Sequence, residues 1–315
     1  MQICFCMLNR WQIDQPVHRL AGRYLLMNEP IFTGACTALV TPFLGDSINY
    51  PMLEVLLKRQ IDAGIRAVVL SGTTGESPAL SDSEKLELFR RAKAYVGGDC
   101  KIIAGTGSNS TTHVVRLSQL AQEAGADGLL IVSPYYNKGT VDGLEQHFRL
   151  IANAVSIPII VYNVPSRTGQ DVPVDVYKRL SRVPGIVGVK EAGTDLTKVT
   201  KTRNACGSGF CIWSGNDDLT VPVMSLGGVG VISVTSNICP VEVSAMAQAA
   251  LDGDFDTASA LQCQLQHLNE LMFCEVNPVP VKAAMKYIGY DCGICRLPLS
   301  DITAQNRKKL DTFFA

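Results

Sequence analysis

The 315-residue sequence has no surplus of basic charge: 28 lysines and arginines face 29 aspartates and glutamates, for a formal net charge of −1. Neutralising phosphates takes an excess of cations, so nucleic acid is excluded as a partner class. Long apolar runs are missing too. A membrane span needs roughly 18 consecutive apolar residues, and the longest runs here fall far short. Met1 to Leu8 is mildly apolar, but Arg10 interrupts it and no small-residue cleavage site follows, so no secretory signal is read. Nucleotide signatures are absent as well: no GxGxxG turn follows the first apolar strand, and no Gly-Lys-Ser/Thr occurs. Histidine is scarce, limited to His18, His113, His147 and His267. No clustered spacing of His, Cys and carboxylates offers a metal site. The 11 cysteines are odd in number and scattered, which reads as reduced thiols of a cytoplasmic protein. Cys292 and Cys295 form a lone CxxC, for which a redox or zinc role is the minor reading.

What is present is a globular composition, 47% hydrophobic and 18% charged, with enough chain for one large α/β domain and an extension. From residue 34 a single alternation repeats. Apolar runs at 35–40, 67–71, 101–105, 127–132, 157–162, 185–190, 210–214 and 229–234 are separated by amphipathic helical patterns. Ser81 with Glu84 gives one helix a capping box. Continuous apolar strands alternating with helices predict a parallel sheet covered on its faces. Eight units predict a closed (β/α)₈ TIM barrel rather than an open doubly wound sheet. The pattern then turns all-helical, with helices expected near 241–252, 255–273, 278–288 and 301–313. The expected organisation is a tail over 1–30, a catalytic barrel over 31–239, and a helical extension over 240–315 packed on it.

Barrel enzymes carry their chemistry on the loops after the strands. Strand 2 leads into Gly72-Thr73-Thr74-Gly75-Glu76-Ser77, a turn able to cradle a carboxylate or phosphate. Strand 4 leads into Tyr135-Tyr136, which also reads as a packing pair or a subunit contact, and strand 5 ends in Tyr162 with Arg167 just beyond. Strand 6, Ile186 to Lys190, ends abruptly in a lysine. Desolvation there would favour the neutral amine, the chemistry of a Schiff-base lysine; the bland reading is a strand-end lysine paired with a carboxylate. Tyr162 alone reads equally as a satisfied core tyrosine. With every histidine outside these loops, a Ser-His-Asp or Cys-His mechanism has no base.

In this order, GTTGES, AGTGSN, SPYYN, YNVPSRTG, GVKEAG and GGVGVISVTSN resemble the dihydrodipicolinate synthase family of pyruvate-dependent class I aldolases, which includes N-acetylneuraminate lyase. The likeness runs from about Phe32 to the C-terminus and leaves residues 1–26 uncovered. It implies a Schiff base between Lys190 and pyruvate, with Tyr162 relaying protons. Thr73 and Tyr136 are implied as relay partners, the tyrosine entering from a neighbouring subunit. Thr74 would bind the pyruvate carboxylate, Arg167 would receive the carboxylate of L-aspartate 4-semialdehyde, and the backbones of Gly215 and Ile232 would line the site. No cofactor or metal is implied; a homotetramer in the cytoplasm, working in lysine (diaminopimelate) biosynthesis, is. A sister aldolase acting on sialic acid or a 2-keto-3-deoxy sugar acid is the alternative, disfavoured by Arg167, which sugar-acid members usually lack. An inactive barrel serving as a scaffold is disfavoured by Lys190, Tyr162, Thr73 and Arg167 together. The likeness also maps a lysine-effector site onto Ser77, Asp82, Lys85, Asn109, His113 and Tyr135. Lysine-binding members typically have a glutamate where this chain has His113, and often a histidine where it has Lys85, so weak or absent feedback is expected.

Overall fold

The computed structural model describes residues 30–315; residues 1–29 of the expected tail lie outside the described residues. Eight strands alternate with helices: β1 (Gly34–Ala38), β2 (Ala67–Leu70), β3 (Lys101–Gly105), β4 (Gly128–Val132), β5 (Ile159–Asn163), β6 (Ile186–Glu191), β7 (Cys211–Ser214) and β8 (Gly230–Ser233). Each pairs in parallel with the next, and β8 returns to pair with β1, closing the barrel. The strands are apolar along their length because both faces are buried. Inward side chains such as Val69, Ile103, Ile160 and Trp213 fill the barrel, while an outer layer packs under the helices. Phe32 stacks on Trp213 with ring centroids 5.1 Å apart and accepts its indole N–H through the backbone carbonyl at 3.3 Å.

Local signals work as the residue types demand. Ser81 Oγ accepts from the Glu84 N–H at 3.2 Å while Glu84 accepts from the Ser81 N–H at 2.9 Å, so the capping box starts the helix Asp82–Val96. A two-residue hairpin, Phe43–Leu44 with Ser47–Ile48, was not legible, being too short for any period. Four helices follow the barrel: Pro240–Leu251, Phe255–Met272, Val279–Tyr287 and Ala304–Phe314. The first lies alongside the barrel, with Leu251 near the start of β1 at Gly34, and the second reaches the segments that follow the strands. Gln262 accepts from Val221 N–H at 3.1 Å and donates to the Asp217 carbonyl at 2.9 Å, and Asn269 accepts from the Thr235 hydroxyl at 2.7 Å. Among the described residues no helix is long and apolar enough to cross a membrane.

Candidate active site

The direction of Lys190 is set by an irregularity in β6. Ile159 of β5 pairs with Ile186, but Ile160 pairs with Gly188, leaving Val187 without a partner. One extra residue in a strand shifts every later side chain to the other face. Beyond the bulge Tyr162 is in register with Lys190, and Asn163 with Glu191. Without it Lys190 would stand opposite Asn163 and face the helices. Gly188 is required at the bulge, because a Cβ there would lie 2.1 Å from the Cys211 carbonyl oxygen.

Turned inward, Lys190 is 5% exposed, and its Nζ lies 4.5 Å from the centroid of the Tyr162 ring. Glu191, turned outward, accepts from Asn163 Nδ2 at 2.6 Å, Gly193 N–H at 2.8 Å and the Tyr177 hydroxyl at 3.1 Å, with Lys198 3.4 Å away. The adjacent carboxylate in sequence is thereby spent on other partners, and among the described residues Lys190 has no ion pair. The bland reading of a carboxylate-paired lysine does not hold.

Lys190 borders a cavity of about 170 Å³ together with Tyr162, Thr73, Thr74, Arg167 and Gly215. Gly215 admits the close approach of two loops: a Cβ there would sit 2.6 Å from that of Ala192. Ile232 is not brought to the cavity and lies among the side chains filling the barrel. Tyr136 is not brought to it either; it is 92% exposed, at a left-handed φ of 70°. Asn277, from the extension, was missed by sequence reasoning. Its Nδ2 donates to Thr74 Oγ1 at 3.0 Å, and its carbonyl accepts from Arg167 Nη2 at 3.2 Å. Because Thr74 accepts that bond, its own hydroxyl hydrogen is free to donate into the cavity. Oδ1 of Asn277 is buried without a partner.

A larger cavity of about 610 Å³ adjoins the first, sharing Thr73, Tyr162, Arg167 and Asn277, and extends to Ser77, Asp82, Lys85, His113 and Tyr135. Five of the six effector positions thus meet on one wall; Asn109 is not among its lining residues and instead accepts from Asn137 through its carbonyl at 3.0 Å. Of the histidines among the described residues, His113 lines the larger cavity but is bound to both oxygens of Asp82 at 3.1 Å. Burial pulls His147 down to about 4, and Thr111 holds its Nδ1 at 2.9 Å.

The family model for the dihydrodipicolinate synthetase family matches residues 31–314. The chain belongs to that family. It is 45% identical over 282 residues to the 4-hydroxy-tetrahydrodipicolinate synthase of Thermoanaerobacter sp. (strain X514), covering 89% of this chain and 95% of the relative. The crystal structure of dihydrodipicolinate synthase from Aquifex aeolicus superposes with a TM-score of 0.88 at 41% identity, covering 90% of this chain and 97% of that one. The synthase from Cyanidioschyzon merolae with lysine bound superposes at 0.86 and 40% identity, covering 90% of this chain and 97% of that one. The synthetase family accounts for the barrel and the extension. It leaves the CxxC unexplained: burial pushes both Cys292 and Cys295 up to about 12, the opposite of what a redox or metal-ligating thiolate needs.

Proposed function

We propose that this chain is a 4-hydroxy-tetrahydrodipicolinate synthase, a lyase of the class I aldolase type that joins pyruvate to L-aspartate 4-semialdehyde in the lysine (diaminopimelate) pathway. The observation that carries the reading is an ion-pair-free Lys190 in register with Tyr162 at the mouth of a small polar cavity. The Lys190 amine adds to the ketone carbon of pyruvate, and loss of water leaves a cationic imine. That cation acidifies the methyl group, whose proton leaves to give an enamine. The enamine carbon attacks the aldehyde, and the amine of the second substrate then displaces Lys190 in closing the ring.

Each step needs a proton moved where no histidine is at hand, and we assign that task to Tyr162, which lines the cavity together with Thr73. Thr74 presents a hydroxyl donor to the pyruvate carboxylate. Arg167, held by the Asn277 carbonyl on one side, presents the rest of its planar fork to the carboxylate of the aldehyde substrate. Gly215 is assigned a backbone role at the cavity wall, and Ile232 one by the family resemblance alone.

Tyr136 completes the relay only from a second copy. An outward phenol with a left-handed backbone costs roughly 1–3 kcal/mol, and burial of the ring in another subunit gives that conformation a purpose. On this ground we assign at least a dimer, and by the family resemblance a homotetramer, in the cytoplasm, where free thiols persist; the nine cysteines among the described residues are all free. The barrel over 31–239 and the extension over 240–315 act as one catalytic unit in this reading, since Asn277 reaches Thr74. An assay with pyruvate and L-aspartate 4-semialdehyde, run beside N-acetylneuraminate and 2-keto-3-deoxy sugar acids, tests the assignment. Turnover of a sugar acid in preference to the semialdehyde would overturn it.

A further inference from the structure

The extension holds a buried cation for which the reaction scheme has no use. Lys282, 2% exposed, lies in the helix Val279–Tyr287 and donates from Nζ to Glu76 Oε1 at 2.8 Å and to the Ile294 carbonyl at 3.2 Å. Glu76 is equally buried, and its Oε2 accepts from the Arg296 backbone N–H at 2.8 Å. Both carboxylate oxygens are therefore spent on the extension. Stability alone is a poor reason for such a pair, because apolar residues of similar volume serve a core as well or better.

Its location supplies a better one. Glu76 closes the loop that carries Thr73 and Thr74, with a left-handed φ of 56° and its N–H donating to the Thr73 carbonyl at 3.1 Å. On the other side of Gly75, Thr74 is held by Asn277 at 3.0 Å. The segment from Asn277 to Lys282 thus grips the loop at two points flanking one glycine. At Gly75 itself a Cβ would come within 2.9 Å of the Ser71 nitrogen, so the loop is packed down as well as held.

We infer that Lys282 is a positioning residue for the pyruvate half of the reaction: through Glu76 it fixes Thr73 and Thr74 where the Lys190 imine forms. This rests on the function proposed above. The role is specific, because Arg167 hangs from the Asn277 carbonyl and not from Glu76; the pair should govern pyruvate and leave the aldehyde substrate alone.

The test compares Glu76→Gln/Lys282→Met, which leaves no buried charge unpaired, with Lys282→Arg, which keeps the pair. The neutral double variant should fold and melt cooperatively, yet raise KM for pyruvate by about tenfold or more. Borohydride trapping at subsaturating pyruvate should slow in proportion, while KM for the semialdehyde stays within about twofold. Lys282→Arg should restore most of the loss. In a Thr73→Val/Thr74→Val background, adding the double change should shift pyruvate KM by less than about twofold, since the pair acts through those two hydroxyls. Wild-type pyruvate KM in the folded double variant, equal effects on both substrates, or full additivity with Thr73→Val/Thr74→Val would overturn the inference. So would failure of the neutral variant to fold, which would make the pair a requirement of the fold. If the unmodified enzyme itself traps no pyruvate, the proposed function fails instead.

Discussion

Tyr162 and Lys190 are register partners on adjacent parallel strands, and the lysine Nζ lies 4.5 Å from the centroid of the phenol ring. The strand pairing itself therefore sets the distance between the amine proposed to bind the substrate and the phenol proposed to move its protons. No loop has to close to bring them together.

Tyr162→Phe keeps the ring and removes the hydroxyl. It should lower kcat by roughly 100-fold or more, the usual range for a general acid–base group, with an unchanged melting temperature. Steady-state kinetics beside a thermal melt decide it, and a loss below about threefold would show that the protons travel another way.

Arg167→Ala should leave pyruvate trapping nearly normal and raise KM for L-aspartate 4-semialdehyde. Arg167 is solvent-exposed, so what is lost is a charge-assisted hydrogen bond, worth roughly 1.5–3 kcal/mol, about tenfold or more in affinity. Unchanged kinetics for the semialdehyde would place the arginine elsewhere in the mechanism.

L-Lysine should inhibit poorly. Compensation at the expected effector site is reduced: Asp82 gives both oxygens to His113 and makes no ion pair with Lys85, acting on it only through its charge. Lys85 is 7% exposed, and burial lowers its pKa from the usual lysine value. A second ammonium about 4 Å from it would meet a repulsion of roughly 1–4 kcal/mol. Initial rates titrated with L-lysine at subsaturating pyruvate should give half-inhibition above about 1 mM, and a value below that would contradict the reading.

Glu84 joins helix Asp82–Val96 to the extension through Arg296, with Oε1 2.6 Å from Nη2. The Arg296 hydrogen bond holds the Glu84 carboxyl down at about 2, below its ordinary 4.5. A carboxyl lowered in the folded state stabilises above its ordinary pKa and loses that contribution as pH falls through the folded value. With 28% of its side chain exposed, the contribution is about 1–2 kcal/mol after allowing for solvent. Glu84→Gln should thus lower the melting temperature at about pH 7, and the gap should close between about pH 4.5 and pH 2. A gap that persists unchanged at about pH 2 would show that the pair is not its source.

The strands, the helices and the loops bearing Lys190, Tyr162, Thr73 and Arg167 were legible because apolar runs and their ends carry that information directly. The inward turn of Lys190 was not. Ile186-Val187-Gly188-Val189 is apolar on both faces, so no alternation marks where Val187 slips out of register. Asn277 and Lys282 were hidden by distance, since their partners Thr74 and Glu76 lie 203 and 206 residues away in the chain. Only the fold brings these segments together. Tyr136 could be placed by resemblance alone, because its ring meets nothing that would hold it within its own subunit.

Intact-mass analysis after borohydride reduction in the presence of pyruvate bears most directly on the central claim, that Lys190 is the residue that holds pyruvate. The unmodified enzyme should gain the mass of one reduced pyruvate per chain, mapped by peptide digestion to Lys190, and Lys190→Ala should fold and gain nothing. An undiminished adduct in Lys190→Ala, or an adduct mapped to any other lysine, would contradict the account.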